Sequence, residues 1–399
     1  MYLTNTLPNH RQPLDPRDAK VLGREGADAV MRVLALRGGD AATPLLVLPG
    51  LARELGLGSV HVKDECQRLG LGSFKALGGA YALMRLVQAE ASTRLGRPVA
   101  LEEILSAPVR AIAGTMTFAC ATDGNHGRSV AQGAQLMGAR AVIFVHAGVS
   151  QARIDAIARF GAQMVRVAGT YDDSVAEAAR VAGAKGWTLL SDTSWPGYED
   201  IPGLVMQGYT AIVREALVQL PQPPTHVFLQ AGVGGFAAAI AGHLAVLLGA
   251  ERPHVTVVEP ARAACLWASA QAGQVVKVAE DQPTVMAMLE CYEPSLTAFR
   301  VLERVADGFM TVEDDDAPAI MRRLAMPVAG DPPVVAGESG AVGLAGAMAV
   351  LRDPSLAAKL GLGPKARLLV IITEGATDPG LYTHIVGQSP EAVLKGAAA

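Results

Sequence analysis

Charge is scarce in this chain. Only 18% of its residues are Asp, Glu, Lys or Arg, and the formal net charge is -4. With no basic cluster interleaved with aromatics, there is no electrostatic case for nucleic acid. The 4 cysteines, Cys66, Cys120, Cys265 and Cys291, lie far apart without C-x-x-C spacing. That excludes a small disulfide scaffold and argues against zinc, and no metal is expected. Thiols are the default in a cytoplasmic chain, although a Cys265–Cys291 bridge stays open. No internal period is found. Met1-Tyr2-Leu3-Thr4-Asn5 lacks a basic segment followed by an apolar one, so a signal peptide is not expected and the location reads as cytoplasmic. The one long uncharged run, Val227–Ala250, is interrupted by Gln230, Gly232, Gly234, Gly235 and Gly242. It reads as a buried strand, a glycine turn and a buried helix rather than a membrane span.

Apolar bulk is plentiful. With 399 residues, 50% of them hydrophobic, the chain can fill about two domains and is not disordered. The 43 glycines suggest tight turns and closely packed helices. Ala141–Val145, Gln163–Val167, Trp187–Leu190, His226–Leu229, Val255–Val258 and Leu368–Ile372 read as buried strands. Gln151–Phe160, Asp173–Ala184, Gly235–Leu248 and Glu338–Leu351 suit helices, and the acidic run Glu313–Asp316 suits a solvated helix start. This alternation predicts an α/β fold with mostly parallel sheets, whose ligands sit beyond the C-terminal ends of the strands.

The chemistry centres on Lys75, in Gly72-Ser73-Phe74-Lys75-Ala76-Leu77-Gly78-Gly79-Ala80. A lysine stripped of water becomes a nucleophile able to form a Schiff base, as pyridoxal phosphate enzymes use it; a surface lysine in a helix's first turn is the plain alternative. After the strand His226–Leu229 comes Ala231-Gly232-Val233-Gly234-Gly235-Phe236, opening a helix. Backbone N–H groups there suit a phosphate. The same loop satisfies G-x-G-x-x-A, and Glu259 closes the next strand, so a dinucleotide-binding oxidoreductase using NAD stays open as well. Thr122-Asp123-Gly124-Asn125-His126-Gly127 precedes another helix and can receive a carboxylate, while Asn125 can donate to a phenolate oxygen. A plain turn fits it equally well. Thr373 ends the strand Leu368–Ile372, where a hydroxyl can meet a pyridine nitrogen.

These four segments, in this order, resemble the tryptophan-synthase-β-like (fold type II) pyridoxal phosphate enzymes over nearly the whole chain. With Ser191-Asp192-Thr193-Ser194-Trp195-Pro196-Gly197-Tyr198 and Gly337-Glu338-Ser339-Gly340-Ala341-Val342-Gly343 added, the resemblance narrows to the diaminopropionate ammonia-lyase family. Threonine and serine dehydratases of the same fold usually carry a small apolar residue where this chain has Asp123. The resemblance implies two domains: residues 1–78 with 188–399 binding the cofactor, and residues 79–187 carrying the Thr122–Gly127 substrate loop. It also implies α,β-elimination of D- and L-2,3-diaminopropionate to pyruvate and two ammonia, in a homodimer. A dehydratase acting on threonine, serine or hydroxyaspartate is the runner-up. Lys75 would carry pyridoxal 5'-phosphate and serve the L isomer as base. Asp123 would serve the D isomer, and Asp192 would bind or protonate the leaving β-amino group. Asn125, Gly232, Val233, Gly234, Gly235 and Thr373 would complete the cofactor site. Thr122, Gly124, His126 and Tyr171 would line the substrate, although by themselves His126 reads as structural and Tyr171 fits a core position as well.

Overall fold

The apolar runs pair into two sheets. The computed structural model describes residues 1–38, 41–122, 124–328 and 330–396. Its strands are β1 (Tyr2–Thr4), β2 (Leu45–Val47), β3 (Ser59–Asp64), β4 (Thr117–Ala121), β5 (Arg140–His146) and β6 (Gln163–Val167), then β7 (Thr188–Leu189), β8 (His226–Gln230), β9 (His254–Pro260), β10 (Gly308–Val312) and β11 (Arg367–Ile372).

One sheet has seven strands in the order β1-β10-β9-β8-β11-β3-β2. The inner five pair in parallel, and the short edge strands β1 and β2 run antiparallel to their neighbours. The other has four parallel strands in the order β6-β5-β4-β7. Strands buried on both faces need no polar alternation, which is why β8 and β9 read as continuous apolar runs.

The chain folds into two units. The first comprises residues 1–23, 42–67 and 212–399 with the seven-stranded sheet, and the second comprises 24–41 and 68–211 with the four-stranded one. Relative to a 79–187 division, the second unit also takes in 24–41, 68–78 and 188–211. The reason is helical packing: Lys75–Leu95 lies against both Asn125–Met137 and Asp200–Gly208.

The uncharged run is β8 followed by the helix Gly235–Leu248, as read from its glycines. No helix among the described residues is long and apolar enough to cross a membrane. All four cysteines are thiols. The helix expected from Glu338 begins only at Val342. Before it, the chain bends close enough to β11 that a Cβ on Gly340 would lie 2.3 Å from the Glu374 carbonyl oxygen.

One residue further inside that helix, a Cβ on Gly343 would lie 2.4 Å from the carbonyl oxygen of Phe228 in β8. An alanine in a helix normally gains about 1 kcal/mol over glycine. Here a fixed backbone atom opposes it, and overpacking costs about 1–3 kcal/mol. Gly343→Ala is therefore expected to lower the denaturant midpoint of the protein. A raised midpoint would refute the contact.

Candidate active site

The second unit carries the reactive amine. Lys75 is the first residue of the helix Lys75–Leu95, which packs by removing side chains from its contacts. A Cβ on Gly78 would meet Tyr209 at 2.6 Å, one on Gly208 would meet the Gly78 Cα at 2.8 Å, and one on Gly133 would meet the Ala80 Cα at 2.8 Å. Backbone thus lies on backbone next to the lysine.

The Lys75 ammonium, 24% exposed, pairs with Oδ2 of Asp192, which is 14% exposed. Burial alone would raise the Asp192 carboxyl pKa. The Lys75 ammonium, with His126 behind it, overrides burial and holds the carboxyl well below the usual carboxylate range. His126 Nδ1 lies 3.9 Å from the same oxygen, and its Nε2 is 3.0 Å from the Leu190 carbonyl. That carbonyl can only accept, so Nε2 bears the hydrogen. Burial lowers the imidazole pKa, against the pull of Asp192. The trio can therefore bind a cation or pass a proton. The buried Tyr209 ring stacks at 4.8 Å, tilted, on Phe74 beside Lys75.

The loop ahead of the helix Asn125–Met137 is fixed by Thr122. Its hydroxyl oxygen accepts the Gly124 N–H at 3.0 Å and the Gly127 N–H at 3.1 Å. Gly127 is obligatory, because a Cβ there would lie 2.3 Å from the Thr122 methyl. Asn125 is buried at the start of the helix, whose N-cap residue, Gly124, has no side chain to cap it. Asp123 lies outside the described residues. Tyr171, half-buried, opens the helix Tyr171–Lys185 behind a Thr170–Asp173 capping box. The structure brings Lys75, His126 and Asp192 together.

The first unit carries the glycine loop. Gly234 sits at φ 95, and the helix Gly235–Leu248 has no side-chain cap. Its first-turn N–H groups are the donors a helix offers to an anion. The loop is tightly held: a Cβ on Gly232 would lie 2.9 Å from Cys291 Sγ, and the Val233 carbonyl accepts the Ser295 N–H at 2.9 Å.

Thr373 is buried at the end of β11, and its hydroxyl oxygen accepts from Gln230 Nε2 at 2.9 Å. The same amide donates to the carbonyls of Gly340 at 2.6 Å and Ile371 at 3.0 Å. Gln230 thus holds the Thr373 oxygen, and the Thr373 hydroxyl donates in turn to the Gly340 carbonyl at 3.5 Å. In the sequence Gln230 stands out only as a polar interruption of the uncharged run.

Glu259, the residue a dinucleotide site would need at a ribose, is fully buried. Its two oxygens accept the N–H groups of Leu266 at 2.8 Å and Trp267 at 2.7 Å, capping the helix Cys265–Ala272. Burial pushes its carboxyl up to about 8. Fully buried, a cap in this position is out of reach of a ribose, and the dinucleotide reading of the loop falls with it. Among the described residues, no three His, Cys, Asp or Glu are grouped to hold a metal ion.

Comparison with known proteins bears on the same residues. The family model described as pyridoxal-phosphate dependent enzyme matches residues 36–374. The chain is 40% identical over 361 residues to a diaminopropionate ammonia-lyase of Escherichia coli (strain K12), covering 89% of each chain. It is similar to a crystal structure of the Escherichia coli diaminopropionate ammonia lyase in complex with an aminoacrylate-PLP azomethine reaction intermediate. The TM-score is 0.85 at 36% identity, with 97% of this chain and 96% of that one covered. A structure of the Escherichia coli enzyme with D-serine gives a TM-score of 0.87 at 36% identity, covering 98% of both chains.

Proposed function

Because this chain belongs to the pyridoxal-phosphate dependent enzymes and, among them, to the diaminopropionate ammonia-lyase family, we propose that it eliminates ammonia from D- and L-2,3-diaminopropionate. One substrate and one water give pyruvate and two ammonia.

Pyridoxal 5'-phosphate, when bound, supplies the electron sink that makes a Cα hydrogen removable. The residues of this chain suit it. Lys75 offers the amine that holds it. The uncapped start of Gly235–Leu248, with Gly232, Val233 and Gly234, offers N–H donors to its phosphate. Asn125 donates to its ring oxygen. Thr373, held by Gln230, would offer its hydroxyl to the pyridine nitrogen in exchange for the long bond to the Gly340 carbonyl.

The observation that carries the substrate assignment is the pairing of Lys75 with Asp192. A buried carboxylate held ionised by an ammonium needs a cation whenever that ammonium is otherwise engaged. The β-ammonium of diaminopropionate is such a cation. Amines leave well only when protonated, so an anion that keeps the proton on nitrogen favours departure. In this reading Asp192 does so, Lys75 takes the Cα proton of the L isomer and Asp123 that of the D isomer. Thr122, Gly124, His126 and Tyr171 complete the substrate contacts. Homodimer assembly and a cytoplasmic location belong to the same reading; four thiols suit a reducing compartment.

The test is pyruvate release from D- and L-diaminopropionate, serine and threonine by the yellow holoenzyme, with borohydride fixing the cofactor on Lys75. Faster release of oxobutanoate from threonine than of pyruvate from diaminopropionate would instead make it a dehydratase.

A further inference from the structure

Tyr198 has no part in the chemistry assigned above, yet it is tied to the backbone that carries Asp192. The strand β7 ends at Leu189, and the last bond to β4 in this stretch is from the Leu190 N–H to the Ala119 carbonyl at 2.7 Å. Asp192 lies two residues further on, where no ladder holds the chain. The Tyr198 phenol stands in for one. It donates to the Leu189 carbonyl at 2.8 Å and accepts the Ser191 N–H at 3.0 Å, bridging the two residues on either side of Leu190.

The phenol is itself fixed. Trp195 stacks on its ring with centroids 4.3 Å apart and planes 14° apart. The Tyr198 N–H donates to the Trp195 carbonyl at 2.9 Å, closing the turn through Pro196 and Gly197. Burial pushes the phenol pKa up, so the hydroxyl keeps its hydrogen as a donor. Leu190, between the bridged residues, gives its carbonyl to His126, so the same clasp sets both partners of the His126–Asp192 contact.

We infer that Tyr198 is a positioning residue, whose hydroxyl locks the Leu189–Ser191 backbone so that Asp192 meets the substrate's β-ammonium group. The inference rests on the role given to Asp192 above. Its consequence is selective. A substrate whose leaving group needs no proton and carries no positive charge, such as β-chloroalanine, should not depend on the clasp.

Tyr198→Phe keeps the ring and its stacking and removes only the bridge. In the holoenzyme it is expected to lower kcat/KM for diaminopropionate by about 10- to 100-fold, the range that follows from slight misplacement of a reacting group. Turnover of β-chloroalanine, which also reports that the variant is folded and loaded, should change less than about twofold. In the Asp192→Asn background, Tyr198→Phe should add no further selective loss, because residues acting through one another are not additive. A crystal structure of the variant should have the Ser191–Thr193 backbone displaced from Leu189.

Equal loss on both substrates, no loss on either, or an unmoved backbone would overturn the positioning role. If Asp192→Asn itself depressed both substrates alike, the assignment of Asp192 to the β-ammonium group would fail first, and that outcome is read separately.

Discussion

Lys75→Ala is expected to lower pyruvate release from both enantiomers of 2,3-diaminopropionate by at least about 10³-fold, the scale of loss when a covalent nucleophile is removed. In the proposed reading two functions go at once, since the amine both holds the cofactor and takes the proton of the L isomer. The D isomer does not escape, because it needs the cofactor held in the same place. A third effect is electrostatic. Without the ammonium, burial acts on Asp192 opposed chiefly by His126, and its carboxyl pKa must rise. Steady-state assays and mass spectrometry after borohydride treatment check the prediction, the second expecting no cofactor on the residue-75 peptide. Activity within tenfold of the unaltered protein on either enantiomer would remove Lys75 from its role.

Asp123→Asn is expected to divide the two enantiomers. The Cα hydrogens of D and L substrate project to opposite sides of a planar conjugated system, so one base cannot reach both. Loss of a general base costs about 10²–10⁴-fold. Turnover of the D isomer should fall by that amount, while the L isomer, for which Lys75 is the proposed base, should fall by less than about threefold. Asparagine preserves shape and hydrogen bonding, so the Thr122 hydroxyl should go on accepting from Gly124 and Gly127. Equal loss of both activities would sink the two-base assignment.

The parts of the fold legible in the sequence were those fixed by local pattern. The strand Gln163–Val167 and the helix Gly235–Leu248 keep their expected bounds, because glycine or an apolar run marks each end. The edge strands β1 and β2, three residues each, carry no such pattern and exist through pairing with β10 and β3. The start of the helix at Val342 was set by the approach of Gly340 to β11, which depends on a residue more than thirty positions away.

The site divided in the same manner. Lys75 and the glycine loop announce themselves by composition. Asp192 could be named from its motif, but its pairing with Lys75 spans 117 positions. Gln230 and Tyr198 were invisible as participants, since each acts by bonding backbone or hydroxyl atoms brought to it only by folding. Glu259 was legible and misleading: its spacing fits a ribose ligand, and only its burial and its two backbone donors reveal a cap.

The helix bearing Lys75 meets its neighbours where Gly78, Gly208 and Gly133 have no side chains. The position of the amine is therefore inherited from missing methyl groups, which offer mutation nothing to adjust by degrees. A leucine contact can drift through isoleucine or methionine and shift an atom slightly at each step. These glycine contacts have no such intermediates. Across descendants of this chain, the exposed positions of the helix can vary while the lysine stays put, and any lineage that moves it through these contacts must do so in one step.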